Sequence, residues 1–137
     1  ADSKEQVVSE RFGYPMEEAQ EYTLYIGLND KDEYRQLISA QEAKEIIDAI
    51  CMQYVDGYTV TEAKGAWVDE KNMLTQENTL VYHFREADEE ALKEIMDRVI
   101  VVLNQNTILV EEQTVSYAYY GGKAEEKAEA ADDKDRK

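Results

Sequence analysis

The order in which the hydrophobic period changes along the chain constrains its fold more than any other feature. Residues 22 to 29 put Tyr22, Leu24, Ile26 and Leu28 on one side and Thr23, Tyr25, Gly27 and Asn29 on the other, the period of two of a half-buried strand. The period then lengthens. Ala43, Ile46, Ile47, Ile50, Cys51 and Tyr54 fall on one helical stripe, behind Ser39 and Glu42 at the spacing of a capping box. This helix is expected over about 40 to 55, with Gly57 closing it in the left-handed conformation. Residues 58 to 67 and 78 to 85 read as extended, joined by a turn at 69 to 72. In the second of these, Leu80, Tyr82 and Phe84 share one face and Thr79, Val81, His83 and Arg85 the other. Asp88 can cap a second helix, whose stripe of Leu92, Ile95, Met96, Val99, Ile100 and Leu103 carries it to about 104. A last strand covers 107 to 120, with a bulge or bend expected at Glu111-Glu112-Gln113.

That order, β-α-β-β-α-β, belongs to the ferredoxin-like plait, an α+β class. It predicts a four-stranded antiparallel sheet in spatial order 4-1-3-2, with both helices on one face. The plait occupies residues 21–120. Residues 1–20 are expected to be a mobile N-terminal arm, because Gly13 and Pro15 interrupt any regular element there. After Gly121-Gly122 the chain holds no large apolar residue, so 121–137 is expected to be a disordered charged tail.

Charge narrows the partners. The chain of 137 residues carries 31 acidic and 15 basic side chains, a formal charge of −16, and the excess sits in the body rather than in the balanced tail. Such a field repels phosphate backbones, which leaves nucleic acid out as a partner. No apolar run approaches the ~18 residues of a membrane span. The single cysteine, Cys51, allows no internal disulfide and falls on the buried stripe of the first helix. The chain begins at Ala1, a start that initiator removal, signal cleavage or trimming would all produce; a cytoplasmic location is favoured over export.

Several short motifs, in their order, resemble a small bacterial family known only as a domain of unknown function. They are Tyr25-Ile26-Gly27-Leu28, Asp56-Gly57-Tyr58-Thr59-Val60, Gly65-Ala66-Trp67, Glu77, and Gln105-Asn106-Thr107-Ile108-Leu109. The resemblance runs over about 22 to 117. It implies a ferredoxin-like fold and supplies no activity. Ala66 stands where that family is expected to have Gln, and Asn106-Thr107 where it has Glu-Ser.

The sheet face away from the helices holds the candidate site. Thr23, Tyr25 and Gly27 should lie there beside Thr79, Val81 and His83, joined by Trp67 and by Tyr117 or Tyr119. Tyr25, Gly27, Trp67, His83 and Tyr117 are therefore the ligand-binding candidates, with Gly27 permitting close approach. An uncovered aromatic face also invites a second copy, so a homo-oligomer through this face is expected, with room for a small molecule at its seam. His83 is the natural general base if the protein is an enzyme of the dimeric α+β barrel kind, although no Ser or Cys nucleophile is set beside it. The acidic run Asn29-Asp30-Lys31-Asp32-Glu33 lacks the glycine and distal glutamate of a calcium loop and reads as a solvated loop. One Cys and one His cannot furnish structural zinc, and no glycine-rich phosphate cradle occurs, so neither metal nor cofactor is expected.

Overall fold

Phe12 and Gly13 both carry positive φ, 58° and 79°, the combination a type I′ hairpin turn requires. The turn joins β1 (Ser9–Arg11) to β2 (Tyr14–Gly27), with Arg11 opposite Tyr14 and Glu10 opposite Pro15. Pro15 thus occupies the wide pair next to the turn, where β1 asks no N–H of it. These are features of the computed structural model, which describes residues 9–123. The first eight residues of the expected arm, and the charged tail from residue 124 onward, lie outside the described residues.

Four further elements complete the large unit, residues 21–113: α1 (Ala40–Cys51), β3 (Thr59–Val68), β4 (Leu74–Arg85) and α2 (Glu89–Val102), followed by the start of β5 (Leu109–Tyr117). The sheet has five strands rather than the expected four, in the order β1-β2-β4-β3, with β5 also pairing β2. β2 runs antiparallel to β4 with Thr23 opposite His83, Tyr25 opposite Val81 and Gly27 opposite Thr79. β3 runs antiparallel to β4 with Thr61 opposite Val81 and Gly65 opposite Glu77.

One face of this sheet meets both helices. Leu24, Ile26, Leu80, Tyr82 and Phe84 form a single buried cluster with Ala43, Ile47, Ile50 and Cys51 of α1 and Leu92, Ile95 and Val99 of α2. Each helix starts as its sequence dictates. Ser39 Oγ accepts from the Glu42 N–H at 3.0 Å, and Asp88 Oδ2 accepts from the Ala91 N–H at 3.2 Å, satisfying first-turn donors. The ends differ from expectation at α1. It stops at Cys51, and Gly57 is not left-handed, because Tyr54 and Val55 leave the helical path to pack on the core. α2 closes on Asn104 at φ 50°, with Gln105 N–H reaching Ile100 O at 3.0 Å, a Schellman arrangement.

The smaller unit consists of residues up to 20 and from 114 onward. Within it Tyr14 Oη donates to Gly122 O at 2.7 Å and accepts from Gly121 N–H at 3.2 Å, while its ring packs on Tyr120 at 5.3 Å. Thr114 Oγ1 donates to Gln20 Oε1 at 2.6 Å.

Candidate functional site

Neither helix packs on the second face of the sheet, where β2, β3 and β4 present alternate residues. Its centre is already shielded by its own neighbours: Thr23 is 5%, Thr79 8% and Val81 6% exposed. Side chains of this size on adjacent strands stand ~5 Å apart and cover one another. The larger polar residues therefore stand around a floor of two threonines and a valine.

Three polar pairs occupy the middle of this face and one end of it, and at the other end Glu21 pairs with Arg85 at 3.9 Å and accepts from Gln113 Nε2 at 3.2 Å. Thr23 Oγ1 and His83 Nδ1 share a hydrogen bond of 3.1 Å across the β2–β4 ladder, which fixes the imidazole plane. Tyr25 Oη donates to Glu111 Oε1 at 3.0 Å, and that bond, burial and the carboxylate charge together raise the phenol pKa. At the far end, Glu77 Oε1 accepts from Trp67 Nε1 at 3.2 Å and Oε2 accepts from the Asn29 N–H at 3.0 Å. Beside Thr23, a polar hollow of about 320 Å³ is lined by Thr23, Glu111, Glu112 and Gln113.

Of the five residues singled out from sequence, the four in the large unit do not converge on one point. Tyr25 belongs with Glu111, His83 with Thr23, and Gly27 and Trp67 with Glu77. Tyr117 lies in the smaller unit, in an edge-on ring contact with Tyr119 at 5.8 Å. The close approach that Gly27 permits is made by this chain's own Glu77: a β-carbon on Gly27 would lie 2.5 Å from Glu77 Cδ and both carboxylate oxygens. Gly65, opposite Glu77, leaves similar room, with Thr79 Oγ1 at 3.0 Å from a β-carbon there. In the sequence Glu77 stands only as a motif residue just ahead of the strand expected at 78 to 85. The signal was available, since two glycines on the strands flanking one long carboxylate mark a slot for it.

This slot yields a testable cost. Gly27→Ala should lower stability by about 1–3 kcal/mol in chemical denaturation, because the methyl drives the carboxyl from the Asn29 amide and the Trp67 indole. In a Glu77→Ala background the same change should be nearly neutral, so a double-mutant cycle isolates the contact. Equal losses in both backgrounds would deny the slot.

The loop after β2 is tied by side-chain hydrogen bonds. Asn104 Nδ2 donates to Asp30 Oδ1 and to Asp32 Oδ2, each at 2.9 Å. The Asp30 carboxyl pKa is lowered, first by Asn104 and then by the Glu33 amide. Among the described residues no group of three or more His, Cys, Asp or Glu is placed to hold a metal, and no helix is long and apolar enough to cross a membrane.

A family model described as Protein of unknown function (DUF3574) matches residues 21–119. No curated protein matches the chain. Among solved structures, the chain is similar to a phage SAM lyase in complex with S-methyl-5′-thioadenosine, with a TM-score of 0.56 at 13% identity over 83% of this chain and 97% of that one. A phage SAM lyase in the apo state gives 0.53 at 15% identity, over 83% and 99%. At such identities the likeness is one of fold.

Proposed function

Because the chain belongs to the family described as Protein of unknown function (DUF3574), which brings no established activity, we infer its function from the open sheet face: it binds a small molecule bearing a positive charge. One observation carries this reading. The polar hollow over buried Thr23 is walled by the Glu111 carboxylate, which Tyr25 holds in place, on a face that neither helix covers. A fixed carboxylate beside an aromatic ring suits an ammonium or sulfonium centre. In the same reading the domain is a ferredoxin-like plait to which β1 has been added.

Face-to-face pairing of two copies is the weaker alternative, since it would set Glu77 and Glu111 against like charges in a chain already at −16. Catalysis by His83 also ranks lower, because its partner is a buried threonine hydroxyl that orients the ring and is poorly placed to attack a substrate.

The phage SAM lyase structures suggest a pair of probes, S-adenosylmethionine with its sulfonium and S-methyl-5′-thioadenosine without it. Titration calorimetry should show the sulfonium compound binding at least tenfold tighter, about 1.4 kcal/mol, with Glu111→Gln removing most of that preference. Binding of neither compound, or equal affinity in Glu111→Gln, would overturn the reading.

A further inference from the structure

β3 is an edge of the sheet. Among the described residues it pairs with β4 alone, and Thr59–Val68 is exposed along nearly its whole length. Unprotected edges of this length recruit a further strand unless something blunts them. The hairpin register shows which backbone groups are left over. Asp69 N–H bonds Met73 O at 3.0 Å, which makes 69 and 73 a hydrogen-bonded pair. Counting back along the antiparallel alternation, Thr61, Ala63, Gly65 and Trp67 direct their amides to β4, and Val60, Glu62, Lys64 and Ala66 direct theirs outward.

We propose that this chain forms a two-fold symmetric dimer by antiparallel pairing of β3 with β3 of a second copy, centred on Ala63. The charges select the occupant and the register. With Ala63 at the axis, Glu62 lies opposite Lys64 of the second copy and Lys64 opposite its Glu62, both in hydrogen-bonded pairs. Sliding the register by one step in either direction stacks Glu62 on Glu62 or Lys64 on Lys64, and like charges directly opposite oppose pairing. The axis itself falls on a non-hydrogen-bonded pair, the closest in an antiparallel ladder, and alanine fits it. Val60 meets Ala66, Thr61 meets Gly65 and Thr59 meets Trp67, so the ladder gains about eight backbone bonds. It also covers Trp67, 48% exposed in the single chain.

Among the described residues no strand pairs with the outer edge of β3, and its local contacts yield readily. Lys64 Nζ donates to Asn78 Oδ1 at 2.8 Å, a neutral surface contact a carboxylate can replace. Asp69 stiffens the hairpin tip by accepting from Lys71 and Met73 amides at 2.9 Å, so little order remains to be imposed on binding. Edge pairing leaves the second sheet face uncovered, and so it stands apart from the ligand reading above.

The test is sedimentation velocity on the full chain across a concentration series in 150 mM salt. The protein should sediment as a dimer at high concentration. Glu62→Lys alone and Lys64→Glu alone should each raise the dissociation constant roughly tenfold or more. Mixing the two variants should restore dimers. One chain then carries lysine at both positions and the other glutamate at both, so every facing pair is again of opposite sign. A protein that stays monomeric at every concentration overturns the proposal, and so does a dimer indifferent to both variants. Failure of the mixture to recover also overturns it, since the singles then acted through something other than this register.

Discussion

Tyr82→Ala is expected to destabilise the large unit by about 3–5 kcal/mol, a large share of the roughly 5–15 kcal/mol that holds such a domain together. The side chain is fully buried in the middle of β4. Its ring packs against Tyr58 at 5.5 Å and Phe84 at 6.3 Å, on the face that both helices cover. Truncation opens a cavity the helices cannot collapse into, because β4 is pinned on both sides by β2 and β3. The hydroxyl adds a second share. It donates to Asp48 Oδ1 at 2.9 Å, and Asp48 in turn pairs with Lys44 at 2.6 Å.

Tyr82→Phe separates these shares. It keeps the ring and removes the hydroxyl, so a loss of about 1–2 kcal/mol is expected. Thermal or urea unfolding of both variants gives the numbers; a Phe variant as unstable as the Ala variant would place the energy in the hydrogen bond rather than in packing. Acid should erode the same contribution. Burial alone would raise the Asp48 pKa, yet hydrogen bonds from Lys44, Tyr82 and Tyr58 outweigh it and hold it below the ordinary 3.8. A carboxyl lowered on folding stabilises the protein above its unfolded pKa, and that stabilisation fades as pH falls below 3.8 through the folded value.

Tyr82 was legible in the sequence, as were most elements, because burial on one face writes itself as a period. Leu24, Ile26 and Leu28 alternate, Ile47, Ile50 and Cys51 step at helical spacing, and the capping residues Ser39 and Asp88 mark where each helix begins. The departures share a physical cause. β2 begins at Tyr14, eight residues before the alternation is visible, since Glu17, Glu18 and Gln20 break the apolar pattern and Ala19 is the one residue buried in that stretch. The turn that starts it uses Phe12 at positive φ, which composition does not betray. β4 likewise begins at Leu74 rather than at 78, and that extension is what sets Glu77 on the same face as Thr79 and Val81. Without it the Gly27 slot had no visible occupant. The open face itself was foreseen, as the registers of Thr23 with His83 and Tyr25 with Val81 attest. The partners that divide it into three stations came from β5 and from the first part of β4, where the sequence carries little periodicity.

The lone cysteine gives the second large expected effect. Cys51 closes α1 on the buried side, fully shielded, and burial together with the Asp48 charge pushes its thiol up to about 12 from 9.0. Only the thiolate attacks an alkylating reagent, so at pH 8 the folded protein should react with iodoacetamide about a thousandfold more slowly than the same chain in denaturant. The protection has two layers, a suppressed thiolate and a closed core, and the pH dependence tells them apart. If charge suppression dominates, the native rate climbs tenfold for each pH step up to the onset of alkaline unfolding. If the core must open first, the native rate instead follows the unfolding equilibrium and rises with urea. Tyr82→Ala should then accelerate labelling by the factor its stability loss implies, on the order of a hundredfold or more for 3 kcal/mol. Rapid labelling of the folded wild-type chain would mean that α1 does not seal this side of the sheet, and the packing on which the open face depends would have to be redrawn.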